Sequence, residues 1–190
     1  MKTHKCLICS LAFILSILLV GCGTAPLSMK VYDSNALKSS KSITVLDFSA
    51  EGDTLNYSGD LDSLGHVMAA LLQSDLRSMT QSLEVTLGKS DNITTDLVIE
   101  GKFTKIDEGD AAGRIMVGPL GEEGVTVAVD GVVKKSDGTV VAVFNTSKTS
   151  SGGPLGMGGL LAGDSDVIID DIMEEIAEEF TGFIIEHTSN

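Results

Sequence analysis

Three segments of the sequence alternate apolar and polar residues with a period of two, and few architectures tolerate that pattern. In TDLVIEGKFTKID, Leu97, Ile99, Gly101 and Phe103 fall on one side, and Glu100, Lys102 and Thr104 on the other. In GVTVAVDGVV, Val125, Val127, Val129 and Val133 face one way, and Thr126, Ala128 and Asp130 the other. VVAVFNTSKT follows after KKSDGT, whose Asp137-Gly138 pair suits a tight turn with positive φ, so the last two segments read as a hairpin. Successive side chains of a strand point to opposite faces, so alternation means a sheet with one buried face and one wet face. Something must cover the buried face.

Two amphipathic stretches are available for that. Asp60 is placed to cap a helix whose Leu61, Leu64, Met68, Leu71, Leu72, Leu76 and Met79 recur at three- and four-residue spacing. Asp60 and Asp62 also suit the positive end of its dipole. Near the C-terminus, DSDVIIDDIMEEIAEEFTGFIIEH carries an apolar stripe of Ile168, Ile169, Ile172, Met173, Ile176, Ala177, Phe180 and Ile184. Asp170, Asp171, Glu174, Glu175, Glu178 and Glu179 make the opposite face, read as solvated, of a helix of about six turns. ITVLDF at 43–48 and LEVTL at 83–87 read as strands. The expected fold is therefore α+β: an antiparallel sheet of about four to five strands with two amphipathic helices packed on one face.

The front of the chain is of another kind. Lys2 and Lys5 precede an apolar run of about 15 residues, from Cys6 to Val20, against the roughly 20 that a bilayer-spanning helix needs. A charged start, a short apolar core and small residues after it form the pattern of a secretory signal. Leu19-Val20-Gly21-Cys22 resembles the lipobox of bacterial lipoproteins, in which the Cys thiol takes a diacylglycerol and the chain is cut just before it. On that resemblance residues 1–21 are a cleaved signal, and residues 22–42 are a lipidated Cys22 followed by a flexible tether. Residues 43–190 are then a single periplasmic domain. GTAPLSMKVYDSNALKSSKS, the tether, lacks clear periodicity; as a flexible coil it would span roughly 25 Å. Gly23 is not the Asp of enterobacterial inner-membrane retention, so the resemblance implies the outer membrane, facing the periplasm, ahead of the inner membrane or the cell surface.

The charge balance excludes one class of partner. Residues 1–21 hold two lysines and no acid, so the rest of the chain sets 11 basic residues against 27 acidic ones. Nucleic acid demands phosphate-neutralising Lys and Arg, so no nucleic-acid partner is expected. With Cys6 and Cys9 in the signal and Cys22 under lipid, no cysteine remains for a disulfide, and packing alone must hold the domain.

No constellation of catalytic or metal-ligating residues stands out, so neither enzyme activity nor a metal or other cofactor is expected. The glycine-rich SGGPLGMGGLLAG at 151–163 lacks the Lys-Ser/Thr ending of a phosphate cradle and closes on acidic residues. Its G-x-x-x-G spacings are too short to span a membrane, and Pro154 interrupts them. It reads as a loop. His66, four residues after Asp62, and His187, at the end of the last helix, have no second His or Cys for a metal site. Arg114 stands alone in EGDAAGRIMVGPLG, with no other basic residue from 106 to 133. Arg114 and Gly152, Gly153, Gly156, Gly158 and Gly159 are the candidate partner or ligand contacts.

From Asp96 to Phe180 the chain resembles the bacterial family catalogued as domain of unknown function 4410. The resemblance is carried by DLVIEGKFTKIDEGDAAGRIMVGPLGEEGVTVAVDGVVKKSDGTVVAVFNTSKTSSGG and the acidic helix after it, and TVLDF near residue 45 suits it too. In the family the loop around Arg114 is more regularly glycine-rich. The resemblance implies a lipoprotein signal, in keeping with Cys22, and no particular reaction. The layout is also similar to the small α+β domains of periplasmic assembly lipoproteins, which act by touching other envelope proteins. The expectation is a membrane-anchored lipoprotein whose non-catalytic domain meets an envelope protein partner; the alternative is a periplasmic binder of a small ligand or lipid.

Overall fold

The computed structural model of the protein describes residues 25–51, 55–80, 82–88, 93–109, 124–150 and 165–188. In chain order the elements are β1 (Ala25–Val31), α1 (Ser34–Ser39), β2 (Ser42–Leu46), β3 (Ser49–Ala50), β4 (Leu55–Asn56) and α2 (Leu61–Met79). They continue with β5 (Glu84–Gly88), β6 (Leu97–Asp107), β7 (Val125–Lys135), β8 (Val140–Ser150) and α3 (Ser165–Thr188).

The class is α+β, but the sheet is larger and less uniform than the expected four to five antiparallel strands. Its eight strands run in the order β1-β8-β7-β6-β2-β5, with β3 and β4 also pairing with β6. β6, β7, β8 and β1 are antiparallel neighbours, whereas β2 is parallel to both β5 and β6. The reason lies in the connection. A parallel neighbour needs a crossover of a dozen or more residues, and α2 supplies it between β2 and β5. β2, β3 and β4 lie in succession along one edge of β6, with Ile43 opposite Leu97, Ser49 opposite Lys102 and Leu55 opposite Ile106. They behave as one interrupted strand, and its two-residue pieces are too short for any periodicity to show.

The expected tether at 22–42 is corrected from Ala25 onward. Leu27, Met29 and Val31 are partly buried against the core as β1 pairs with β8, so they alternate with Ser28 and Lys30 for a reason. Asp33 then caps α1 by accepting from the Ala36 N–H at 3.0 Å, and Leu37 of that helix is fully buried. Asp96 ties the next segment down, accepting from the backbone of Lys41 at 2.8 Å and of Ser42 at 3.2 Å.

The elements that alternate or carry a stripe pack as the pattern requires. Val125, Val127, Val129 and Val133 are fully buried, as are Ile99 and Phe103. A bulge between Phe103 and Lys105 shifts the phase, so Ile106 is the next buried residue of β6. The β7–β8 hairpin closes with Lys135 N–H donating to Thr139 O, and Gly138 has φ +87°. The Asp60 carboxylate receives the Asp62 N–H and starts α2 as expected. All eight apolar stripe residues of α3 are buried, and Phe180 meets Phe144 of β8 edge to face, 4.6 Å between ring centroids. Ala36 and Leu37 of α1 join α2, α3 and the inner sheet face in one continuous core, so among the described residues three helices, not two, cover the sheet.

Candidate functional site

The register of the long strands brings several chain segments to one end of the sheet. Ala25 lies opposite Ser147, Val125 opposite Ser150, and Asp107 opposite Thr126. The chain before 25, the connection from β6 to β7 and the chain after 150 therefore all attach at that end. The candidates from sequence belong to these segments. Cys22, Arg114, Gly152, Gly153, Gly156, Gly158 and Gly159 lie outside the described residues, and it is the strands flanking them that meet.

An ionic cluster around one buried lysine sits beside this end. Pro26 has no N–H, and the β1 register shifts between Ala25 and Ser28. The Leu27 N–H in this irregular stretch donates to Glu179 Oε2 at 3.2 Å. Glu179 Oε1 accepts from Lys148 Nζ at 2.5 Å, and Glu175 Oε1 accepts from the same ammonium at 2.9 Å. Lys148 is only 3% exposed, on the inward row of β8 with Ala142, Phe144 and Thr146. Burial pulls the Lys148 pKa down, but the hydrogen bonds from Glu179 and Glu175 outweigh it, and the group stays above the ordinary lysine value. A buried charge is stable only when paired and hydrogen-bonded, so the two glutamates keep Lys148 in place.

The acidic helix face is solvated as expected except at half-buried Glu179, and from that face Glu179 and the exposed Glu175 reach over to the buried Lys148. Sequence reasoning passed over Lys148. The signal was there, in a lysine at an inward position of an alternating strand and two glutamates four residues apart on the helix.

Among the described residues several other polar groups are engaged with one another, whereas the buried Thr181 hydroxyl has no hydrogen-bond partner. His66 Nδ1 lies 3.0 Å from Asp47 Oδ1 at the surface, so its partner is Asp47 and not Asp62. His187 stacks on Phe183 at 4.1 Å and its ring nitrogen bonds the Phe183 carbonyl at the end of α3. The Tyr57 hydroxyl pKa is raised by burial and by the charges of Asp166, Asp170 and Glu108. On the outer sheet face an open groove of about 490 Å³ runs over Gly101 and Gly131 between Glu100, Lys102, Asp130 and Asn145. Among the described residues no three His, Cys, Asp or Glu side chains are arranged to hold a metal ion, and no helix is long and apolar enough to cross a membrane.

Residues 43–154, more than half of the chain, match the family described as Domain of unknown function (DUF4410). The chain belongs to that family. The match begins at β2 and ends before α3, so the acidic helix lies outside it. No curated protein sequence matches the chain. Among solved structures, the PelC dodecamer from Paraburkholderia phytofirmans is similar at 12% identity and a TM-score of 0.50, over 82% of this chain and 97% of that one. A Xanthomonas campestris protein of family DUF330 is similar at 14% identity and a TM-score of 0.45, over 86% and 94% of the two chains. A putative neuraminyllactose-binding hemagglutinin homolog from Helicobacter pylori has 13% identity and a TM-score of 0.41, over 90% and 89%. At such identities the PelC likeness establishes a shared fold.

Proposed function

We propose that this member of the DUF4410 family is a non-catalytic interaction domain, anchored by lipid on Cys22 and facing the periplasm from the outer membrane. The observation that carries the reading is where the chain enters the fold. β1 begins at Ala25, three residues after Cys22, and is paired into the sheet. At no more than about 3.5 Å per residue, three residues reach roughly 10 Å. Lipid on Cys22 would therefore press one end of the sheet against the bilayer, where a 20-residue tether would let the domain tumble. The strands that flank Arg114 and Gly152–Gly159 end at that same end, so those strand ends would face the membrane or a partner seated there.

The non-catalytic part rests on the use of the reactive groups. Lys148 is sealed under Glu175 and Glu179, and His66 is held by Asp47 at the surface. The partner is an envelope protein or further copies of this chain; PelC, which shares the fold, is a dodecamer. The groove on the outer sheet face favours a second reading, a binder of a small periplasmic ligand, although it is open and mixed in charge where ligand pockets are enclosed and mostly apolar.

Crosslinking in intact cells followed by mass spectrometry separates the two. Crosslinks from the β7 and β8 ends to a defined envelope protein, or to a second copy, support the interaction domain. A small molecule that co-purifies with a chain free of protein crosslinks contradicts it and supports the ligand binder.

A further inference from the structure

We propose that β1 is a releasable strap and Glu179 its latch: while Glu179 holds the Leu27 N–H the domain sits close to its anchor, and when it lets go the tether lengthens. The consequence at the membrane rests on lipidation of Cys22; the latch itself does not.

Among the described residues β1 is an edge strand whose sheet neighbour is β8. Its two ends are fastened differently. At the far end both the Tyr32 and Asp33 N–H groups donate to Val141 O, at 2.8 and 3.2 Å. There Asp33 also accepts from Lys135 Nζ at 2.9 Å and caps α1. At the near end the ladder is broken by Pro26 and the register shift, and a side chain from α3 substitutes for it. Glu179 is itself oriented by Lys148, which uses one of its oxygens and leaves the other for Leu27. The side chains that β1 buries, Leu27, Met29 and Val31, are only partly covered. An edge strand with a few half-buried side chains belongs to the low-stability end of a fold and opens locally without global unfolding. If it peels back to Tyr32, the chain from Cys22 grows from three residues to ten, and its reach from roughly 10 Å to about 35 Å.

Two substitutions distinguish a latch from a general loss of stability. Glu175→Ala and Glu179→Ala each remove one carboxylate from Lys148, but of the two it is Glu179 that accepts a hydrogen bond from β1. The assay is hydrogen exchange of the full chain extracted in detergent from expressing bacteria, in the Cys22 protein and in Cys22→Ser. Glu179→Ala is expected to speed exchange of the Ser28 and Lys30 amides about tenfold, with amides of β7 and α2 unchanged, and Glu175→Ala to leave β1 at the parent rate. Should Glu179→Ala not fold, Glu179→Gln takes its place, with the same order expected at smaller amplitude. Equal loosening of β1 in the Glu175 and Glu179 variants, or loosening in neither, overturns the latch. The latch result must hold in both Cys22 backgrounds, whereas absence of lipid on the parent protein overturns the anchoring reading alone.

Discussion

Replacing Gly65 with alanine sets two physical effects against each other. Gly65 lies within α2, where alanine is favoured over glycine by roughly 0.8–1 kcal/mol, so propensity alone predicts a more stable protein. The packing predicts the reverse. A Cβ at residue 65 would stand 2.0 Å from the Phe48 carbonyl oxygen and 3.0 Å from the Phe48 carbonyl carbon. Those atoms are backbone, so the helix must retreat by about 1 Å or more to reach ordinary contact. Such a retreat stretches the 3.2 Å hydrogen bond from Phe48 N–H to Gly65 O. Losing that bond costs about 0.5–1.5 kcal/mol, and overpacking about 1–3 kcal/mol. Set against the propensity gain, the net is a destabilisation of about 1–3 kcal/mol, or roughly 3–10 °C for a protein of this size. Gly182 is the control: it is exposed on α3, and a Cβ there meets nothing within 4 Å, so Gly182→Ala should raise the melting temperature. Thermal unfolding followed by circular dichroism reads both. A Gly65→Ala protein that melts at or above the parent refutes the close approach of α2 to the β2–β3 connection.

Ile172→Ala, at a site 2% exposed, should cost about 2–5 kcal/mol and lower the melting temperature by roughly 5–15 °C; a protein that melts like the parent would mean α3 is not part of the core. Asp75 has its pKa raised by burial and then by the charge of Glu178, so its ionised form opposes folding at neutral pH. Asp75→Asn should raise the melting temperature by about 1–2 °C at pH 7, and the gain should vanish at a pH low enough to protonate Asp75; a loss at pH 7 contradicts this. Lys148 and Tyr57 both hold their protons in the fold beyond their ordinary values. The stability they contribute is whole below about pH 10, where the unfolded chain is still protonated, and is lost as pH rises through the folded values. The urea midpoint should therefore fall as pH rises past about 10, and a flat midpoint would argue against both environments.

The parts of the fold legible in the sequence are those with long periodic runs. The stripe of α3 and the alternation of β6, β7 and β8 each repeat over ten residues or more, so misplaced residues average out. β1 was missed because its alternation, Leu27-Ser28-Met29-Lys30-Val31, is short, begins beside a proline and includes a lysine, as an edge strand does. The parallel direction of β2 was missed because it belongs to the α2 crossover and leaves no mark on β2 itself. The ionic cluster escaped for a related reason. Lys148, Glu175 and Glu179 come from two elements, and each looks solvated until the elements are docked. Gly65 likewise appears only as a weak point in a helix until Phe48 is placed against it.

The proposed function depends above all on lipid at Cys22. Mass spectrometry of the N-terminal peptide, from protein extracted out of bacterial membranes, tests this most directly. Lipidation at Cys22 predicts a peptide that begins at Cys22 and carries a diacylglycerol on its sulfur, together with a Cys22→Ser protein that is neither lipidated nor cut at that position. A parent peptide that starts elsewhere, or that starts at Cys22 without lipid, would contradict it.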